Sequence, residues 1–254
     1  MSTSQGKFVW YELSTTDVPA AIAFYKDVLG WGTEDFEGAG MRYVRWTAYG
    51  KAIGGVMPLA DESRNSGAPP HWMAYVFADD VDALIDKARS LGGKACMPPM
   101  DIPNVGRIGI LSDPGGAVLA IIQPMGPDVP EPAEVPDRHF VWNELIAADQ
   151  EAALRFYSGL FGWQKTDAVA MPTGTYQMYG RRGRTLGGMM TRPKDYPAPP
   201  HWLYYVKVAD LDDTVARVKK CGGRVLNGPM EVPGGSRIAQ CMDPQGAAFA
   251  LNGI

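Results

Sequence analysis

The first thirty residues alternate large apolar and polar side chains in a way that predicts a strand followed by a helix. Residues 8–13 read Phe-Val-Trp-Tyr-Glu-Leu, and alternate side chains of this run form two sets with the period of two that is typical of a β-strand. Asp17 can cap the helix that follows, and Gly30 ends it. Apolar residues of this helix recur at helical spacing at Val18, Ile22, Tyr25 and Leu29.

The same order of elements continues along the chain. Short strands are predicted around residues 31–36, 41–48 and 51–57, and a further strand over 71–77. A helix follows over about 80–91, with an apolar face formed by Val81, Leu84, Ile85 and Ala88. Three more strands are predicted near Lys94, over 107–112 and over 117–122. The first half therefore consists of two βαβββ modules.

An internal repeat organises the whole chain. Residues 8–13 return as Phe-Val-Trp-Asn-Glu-Leu at 140–145, and residues 24–31 return at 156–163, both with a shift of 132. A Gly-Gly pair, a Pro-Pro-His-Trp run and an Asp-Pro pair also recur at nearly the same shift. The repeat predicts an α+β protein of four βαβββ modules, with domains at 1–123 and 138–254 joined by a proline-rich linker at 124–137. In each domain the strands are expected to form a curved mixed sheet around a trough.

Composition narrows the functional classes. The 254 residues carry a formal net charge of -4, and their basic side chains are scattered, so no surface for nucleic acid is expected. Three cysteines without a C-x-x-C pair suggest neither a disulfide framework nor a thiolate zinc site. No apolar run approaches the roughly 20 residues that cross a bilayer. We expect a soluble, cytoplasmic protein without membrane or nucleic-acid partners, present as a monomer or a homodimer.

Several of these motifs resemble the vicinal-oxygen-chelate superfamily, which includes glyoxalases, bleomycin resistance proteins and extradiol dioxygenases. The similar segments are the Trp-x-Glu-Leu strand, the helix with Phe-Tyr and Gly-Trp, the Asp-Asp-Val-Asp helix start and the Asp-Pro-x-Gly-Ala turn. The resemblance covers nearly all of the chain outside the linker, twice. It implies two tandem glyoxalase-like domains, each with a cavity for a small molecule.

The resemblance also implies positions for a divalent metal, which is the family default. Enzymes of the family usually hold it with His, Glu or Gln on the first, fourth, fifth and eighth strands. In this chain those positions fall on Trp10, Gly54–Val56, Trp72 or Met73 and Ala120, and then on Trp142, Gly187–Met189, Trp202 or Leu203 and Ala250. None of these side chains is a metal ligand, so we expect no metal and no other cofactor.

Strand parity places a small set of other residues in the troughs. Glu12 and Glu144 are the candidate catalytic groups, because a carboxylate among aromatic side chains can act as a general base. The candidate ligand-binding residues are Trp10, His71, Met73, Tyr75, Trp142, His201 and Tyr205. Structural alternatives stay open: the glutamates can anchor a neighbouring element, the histidines can order the loops before their strands, and the tryptophans can belong to the core.

The arginines have their own alternatives. Arg107 and Arg237 can form ion pairs with nearby aspartates or meet an anionic ligand, and the ion pair is favoured. The segment 180–183, Gly-Arg-Arg-Gly, lacks the strand-loop-helix setting of a phosphate loop and predicts a hairpin turn, in which Arg181, Arg182 and Arg184 are solvated.

Two functional hypotheses follow from the sequence. The first is a metal-free binding protein of the bleomycin-resistance type, which holds a small, partly aromatic molecule. The second is a glyoxalase-like lyase or isomerase that uses Glu12 or Glu144 as its base, with or without a divalent metal.

Overall fold

A computed structural model describes residues 3–38, 41–126, 131–172 and 174–254. The elements of the first half are β1 (Phe8–Thr15), α1 (Val18–Leu29), β2 (Gly32–Gly38), β3 (Met41–Ala48), β4 (Lys51–Pro58), α2 (Asp61–Asn65), β5 (His71–Phe77), α3 (Val81–Ser90), β6 (Lys94–Ile102), β7 (Gly106–Ser112) and β8 (Val118–Pro124). Those of the second half are β9 (Phe140–Ala147), α4 (Gln150–Phe161), β10 (Gln164–Met171), β11 (Gly174–Arg181), β12 (Arg184–Thr191), β13 (His201–Lys207), α5 (Leu211–Lys220), β14 (Arg224–Glu231), β15 (Arg237–Met242) and β16 (Ala248–Gly253). The longest helices have 12 residues, and in the described part of the chain none could cross a membrane.

The predicted elements of the first half are confirmed, with two exceptions. The apolar face of α3 is the predicted one. In α1 the buried stripe is rotated, because Phe24 turns inward and packs edge-on against Phe249 at a centroid distance of 5.9 Å, while Val18 and Ile22 stay partly exposed. The short helix α2 was not predicted, and its five residues include no buried side chain.

The strands form two eight-stranded mixed sheets, one from each sequence half. Their strand orders are β2-β3-β4-β1-β5-β8-β7-β6 and β10-β11-β12-β9-β13-β16-β15-β14. In each module the first strand is parallel to the last, as in β1 with β4 and β9 with β12, while the other neighbours within a module are antiparallel. A helix between the first and second strands permits this parallel pairing. The predicted α+β class with four βαβββ modules is confirmed.

The compact units of the chain draw on both sequence halves. One unit comprises Met1–Val9, Ala74–Pro130 and Trp142–Trp202, and the other comprises Trp10–Met73, Glu131–Val141 and Leu203–Ile254. Helix α1 contacts α5 in one unit, and α3 contacts α4 in the other. The domain limits 1–123 and 138–254 stay a prediction, and residues 127–130 of the predicted linker lie outside the described residues.

A buried phenol joins distant parts of the unit that contains α1. The fully buried hydroxyl of Tyr25 accepts a hydrogen bond from the indole N–H of Trp72 at 2.8 Å and donates one to Oδ2 of Asp243 at 3.1 Å. Oδ1 of Asp243 in turn accepts the backbone N–H groups of residues 245–247 at 2.8–3.0 Å. The Asp-Pro-x-Gly-Ala motif is therefore a turn whose carboxylate orders its own backbone and also holds the helix residue.

The other unit repeats this arrangement. Trp202 donates to the hydroxyl of the buried Tyr157 at 3.3 Å, and Tyr157 is hydrogen-bonded to Asp113. Burial raises the pKa of Asp113 and of Asp243, although the backbone and phenol donors act in the opposite direction. These carboxyl groups are held inside the protein by donors, as buried polar groups require.

Removing the Tyr25 hydroxyl should destabilise the protein. In Tyr25→Phe the buried Trp72 N–H and Asp243 Oδ2 lose their shared partner, and we expect the free energy of unfolding to fall by about 1 to 3 kcal/mol. Urea denaturation followed by circular dichroism measures this. Tyr49→Phe is the matched control, because Tyr49 is 63% exposed. Equal stability of the two variants would show that the buried hydrogen bonds carry no net stabilisation.

Candidate functional site

A cluster of one tryptophan, one tyrosine and one glutamate lies on β1 and β3. The indole N–H of Trp10 donates to the hydroxyl of Tyr43 at 3.0 Å, and that hydroxyl donates to Oε2 of Glu12 at 2.8 Å. Both β1 side chains reach the same phenol, so they lie on one face of the strand, as their alternation predicts. We call Trp10, Tyr43 and Glu12 the first cluster.

The second half of the chain contains the equivalent arrangement. Trp142 donates to the hydroxyl of Tyr176 at 2.8 Å, and Tyr176 is hydrogen-bonded to Glu144. Glu144 is only 6% exposed, whereas Glu12 is half-buried. We call Trp142, Tyr176 and Glu144 the second cluster. The two clusters belong to different compact units.

The Gly-Gly pairs of the repeat explain how the tyrosines fit. Gly55 lies opposite Glu12 in the parallel pairing of β1 with β4, and Gly188 lies opposite Glu144 in the pairing of β9 with β12. A Cβ atom on Gly55 would overlap the hydroxyl of Tyr43, and one on Gly188 would overlap the ring of Tyr176. A side chain at either position would displace the phenol from its carboxylate.

The phenols of both clusters remain protonated at neutral pH. Burial raises the pKa of Tyr43 and of Tyr176 well above the usual value of 10.0, and the neighbouring glutamate charge raises it further. The tryptophan N–H occupies one lone pair of each phenol, which directs the phenol proton towards the carboxylate. Each glutamate is therefore held beside two aromatic rings by a donor that does not titrate in the physiological range.

The three histidines share one local hydrogen bond. Nδ1 of His71 lies 2.9 Å from the carbonyl of Pro69, Nδ1 of His201 lies 2.8 Å from that of Pro199, and His139 makes the same contact two residues back, at 3.0 Å. A carbonyl oxygen only accepts, so Nδ1 carries the proton and Nε2 of the neutral ring is an acceptor. These contacts are the ones that the loop-ordering alternative for His71 and His201 predicts, and they leave Nε2 of each ring outside that bond.

The second cluster has an additional tyrosine. The ring of Tyr196 stacks on that of His201 at a centroid distance of 5.9 Å, with an interplanar angle of 22°. Burial raises the pKa of Tyr196, and the charge of Glu144 raises it further. Tyr196 is therefore in ring contact with one predicted residue, His201, and its pKa responds to the charge of another, Glu144. The corresponding segment of the first half, 59–70, contains no aromatic residue.

The other candidate residues divide between the two units. His71 and Met73 belong to the same unit as Trp10 and Glu12, while Tyr75 belongs to the other unit. Tyr205 lies in the first of these units, is 2% exposed, and accepts a hydrogen bond from Gln240 at 3.1 Å. Residues 71, 73 and 75 lie on one strand, as predicted, but strand parity does not show that the chain passes from one unit to the other between residues 73 and 74.

The sequence analysis missed three tyrosines: Tyr43 and Tyr176, which belong to the clusters, and Tyr196, which stacks on His201. Tyr43 and Tyr176 recur in the repeat with a shift of 133, a signal that was present but not used. Tyr196 has no counterpart in the other half, so the repeat gives no sign of it.

The arginine predictions were partly right. Arg107 pairs with Asp82 at 2.9 Å and Arg237 with Asp212 at 2.7 Å, which confirms the ion pairs. The predicted hairpin turn is confirmed, with Arg182 and Gly183 joining β11 to β12. The solvated position of Arg181 was wrong: it is 7% exposed, and its guanidinium donates to the backbone carbonyls of Thr3 and Gln5. The amino-terminal segment supplies the acceptors that permit its burial.

The donor set does not fit a divalent cation at the positions that the resemblance implies. The indole N–H of Trp10 and that of Trp142 donate to phenols and have no lone pair for a metal. The glycine, alanine and leucine positions offer no side-chain donor. Among residues 3–38, 41–126, 131–172 and 174–254, no three His, Cys, Asp or Glu side chains are grouped as metal ligands would be.

Comparison with known proteins agrees with this fold and with the internal repeat. The model of the Glyoxalase/Bleomycin resistance protein/Dioxygenase superfamily matches residues 7–121 and 138–251. The chain therefore belongs to this superfamily, with two tandem glyoxalase-like domains.

Relatives and solved structures span nearly the full chain. CFP32 of Mycobacterium tuberculosis, named as a candidate glyoxylase, is 33% identical over 260 residues, which cover 97% of this chain and 94% of that protein. The anthracycline biosynthesis protein DnrV of Streptomyces peucetius is 29% identical, over 97% of this chain and 92% of that protein. The 2,3-dioxygenase LapB of Pseudomonas sp. KL28 superimposes with a TM-score of 0.68 at 11% identity, over 100% and 94% of the two chains. The Mn(II)-bound glyoxalase of Novosphingobium aromaticivorans superimposes with a TM-score of 0.64 at 17% identity, over 98% of this chain and 82% of that chain. The two structures establish the fold alone.

Filling the glycine positions should break the clusters. In Gly55→Ala and Gly188→Ala the new methyl group displaces the phenol, and we expect a loss of about 1 to 3 kcal/mol in the free energy of unfolding. The fluorescence of the affected tryptophan should change as its N–H loses the phenol. Gly126→Ala is the control, because a Cβ there meets nothing within 4 Å. Unchanged stability and emission in both cluster variants would contradict the tight fit.

The titration of His201 gives a second test of the site. Burial lowers the pKa of His201 below the ordinary 6.5, so the folded protein releases this proton more readily than the unfolded chain. The stabilisation is complete above the unfolded pKa and is lost as the pH falls through the folded one. An NMR titration of the imidazole signals, assigned with His201→Gln, should give a midpoint below 6.5. A midpoint at or above that value would show that the ring is exposed to solvent.

Proposed function

We propose that the protein binds a small, partly aromatic organic molecule beside its Trp–Tyr–Glu clusters, without the divalent metal that enzymes of the superfamily commonly use. The observation that carries the proposal is the pair of clusters itself. Each combines an indole and a phenol with one oriented carboxylate. The indoles of Trp10 and Trp142 occupy implied metal-ligand positions but offer no lone pair to a metal.

The chemistry of the clusters suits a flat ligand. Indole and phenol rings offer apolar faces on which an aromatic ring can stack, and such contacts contribute about 0.5 to 1.5 kcal/mol beyond the buried area. The glutamate and the Nε2 atoms of His71 and His201 supply a few hydrogen-bond acceptors. Aromatic walls with a small number of oriented polar groups are typical of binding sites for small organic molecules.

The relatives support a small organic ligand. DnrV is named as an anthracycline biosynthesis protein and CFP32 as a candidate glyoxylase, and both align with this chain over almost its whole length. Neither name assigns a ligand to this chain. Both are consistent with a two-domain scaffold that handles small molecules.

A second candidate function is a metal-independent lyase or isomerase. The observations that favour it come from the second cluster. Burial and the charge of the buried Glu144 raise the pKa of Tyr196, and the ring of Tyr196 stacks on His201, whose own pKa is lowered by burial. In this reaction Glu144, or Glu12 in the first cluster, would take a proton from a carbon of the ligand, and the phenol would hold the carboxylate in place.

A thermal-shift screen with a metabolite library tests the binding function. A ligand that binds only the native state raises the melting temperature, and the bound compound should quench tryptophan fluorescence. We expect Trp142→Phe or Trp10→Phe to weaken a hit about fivefold through lost stacking. Trp31→Phe is the control, because Trp31 is 2% exposed and its N–H is bonded to the backbone of Arg138. Hits whose affinity changes only in the Trp31 variant would contradict binding at the clusters.

The same ligands distinguish the two functions. Glu12→Gln and Glu144→Gln keep the shape of the clusters, so a binding protein should retain its affinity within about threefold. Retained affinity together with abolished conversion of a hit would establish the enzyme. Metal analysis after dialysis should find less than one equivalent of Zn, Ni, Fe or Mn per chain. A stoichiometric metal that survives dialysis would overturn the metal-free proposal.

A further inference from the structure

The two clusters differ at the residue that is paired with the glycine beneath the phenol, Gly55 in the first cluster and Gly188 in the second. On β3 and β4 Arg45 is paired with Gly55, and on β11 and β12 Met178 is paired with Gly188. Directly opposed residues of antiparallel strands point to the same side of the sheet. The first cluster therefore has a guanidinium beside its phenol, and the second has a thioether in the same place.

The positive charge of Arg45 acts on the first cluster. It lowers the pKa of the Tyr43 phenol, against the larger effect of burial. Nη2 of Arg45 donates to Oε1 of Glu34 at 2.6 Å, and Cζ of Arg45 lies 4.5 Å from the centroid of the Phe36 ring. The Nε–H is buried and has no hydrogen-bond partner. A buried donor without a partner is costly. The Arg45 side chain as a whole is 26% exposed, so its guanidinium charge remains within reach of an anionic oxygen at the surface.

The second cluster has a loop that the first lacks. The side chain of Arg192 donates to the carbonyls of Tyr196 at 2.9 Å and Ala198 at 3.1 Å, which fixes the segment that carries Tyr196. The ring of Tyr196 stacks on His201, and the charge of Glu144 contributes, after burial, to raising the pKa of Tyr196. The result is an aromatic wall beside two acceptors, the carboxylate and the imidazole Nε2.

We infer that the two clusters select ligands that differ in charge. The first cluster takes an aromatic molecule with an anionic oxygen group beside Arg45, and the second takes an uncharged aromatic molecule with a hydrogen-bond donor beside Tyr196. This inference rests on the proposed binding function and adds the ligand class of each site. An anion at the second cluster would meet Glu144 with Met178 in the place of the arginine. An uncharged donor there meets two acceptors and an aromatic ring.

Two nearly isosteric probes test the assignment, naphthoate as the anion and naphthamide as the uncharged donor. We expect calorimetric titration of the full chain at neutral pH to show both binding, at separate sites. Arg45→Met should weaken naphthoate about tenfold, because the anion loses its charge-assisted hydrogen bond. It should leave naphthamide unchanged, because that probe binds at the other cluster. Tyr196→Ala should weaken naphthamide about fivefold and leave naphthoate unchanged.

The reciprocal variant and a loop variant complete the design. Met178→Arg should give the second cluster new affinity for naphthoate, and Arg192→Gln, which releases the loop, should act in the same direction as Tyr196→Ala. Thermal unfolding of each variant verifies that it is folded, and the probe unaffected in each variant reports an intact second site. The crossed pattern supports the inference.

Two results would overturn it. Variants that change both probes equally, or neither, show that charge is not what separates the sites. Failure of the wild-type chain to bind either probe also overturns the assignment of ligand class. The proposed function would then fail separately only if the metabolite screen gave no ligand whose affinity depends on Trp10 or Trp142.

Discussion

The structure depends on a buried phenol that is satisfied from both sides. Tyr25 belongs to the first helix of the chain and Asp243 to the last turn, 218 residues later, yet one hydroxyl connects them and also accepts the N–H of Trp72. Each group is deeply buried, so none can exchange its partner for water, and losing the phenol removes a partner from both of the others. The equivalent bonds of Tyr157 act in the other unit. Segments from opposite sequence halves are thereby fixed within each compact unit.

The same combination of indole, phenol and carboxylate occurs twice more, in a more exposed setting. In the first and second clusters the tryptophans are half-buried, and the acid is a glutamate in place of an aspartate that orders a turn. Exposure changes what the arrangement can do. A fully enclosed phenol stabilises the fold, whereas a phenol at a partly open face holds a carboxylate in a fixed direction, and the proposed binding function uses that carboxylate.

Much of the fold could be read from the sequence, because period and repeat are local signals. The alternation of residues 8–13 placed Trp10 and Glu12 on one face, and the apolar spacing of α3 gave its buried side. The missed features depend on partners distant in the chain. The rotation of α1 follows from Phe249, the burial of Arg181 from acceptors at residues 3–5, and the position of Tyr43 from a glycine on the neighbouring strand. In each case the two partners lie in different elements of the fold, so the period of one helix or strand does not reveal the contact.

The duplication offers an internal comparison that separates fold from binding. Two copies under the same packing demands must retain the residues that packing requires, and the paired Trp, Tyr and Asp groups and the glycines beneath the phenols are present in both. Arg45 and Met178 occupy equivalent positions beside equivalent phenols, and the backbone pairing around them is the same. Packing therefore does not demand either side chain. Their difference, together with Tyr196 in only one copy, changes the charge and the aromatic surface of a site while leaving its scaffold intact. Such a change is expected where duplicated sites come to hold different molecules.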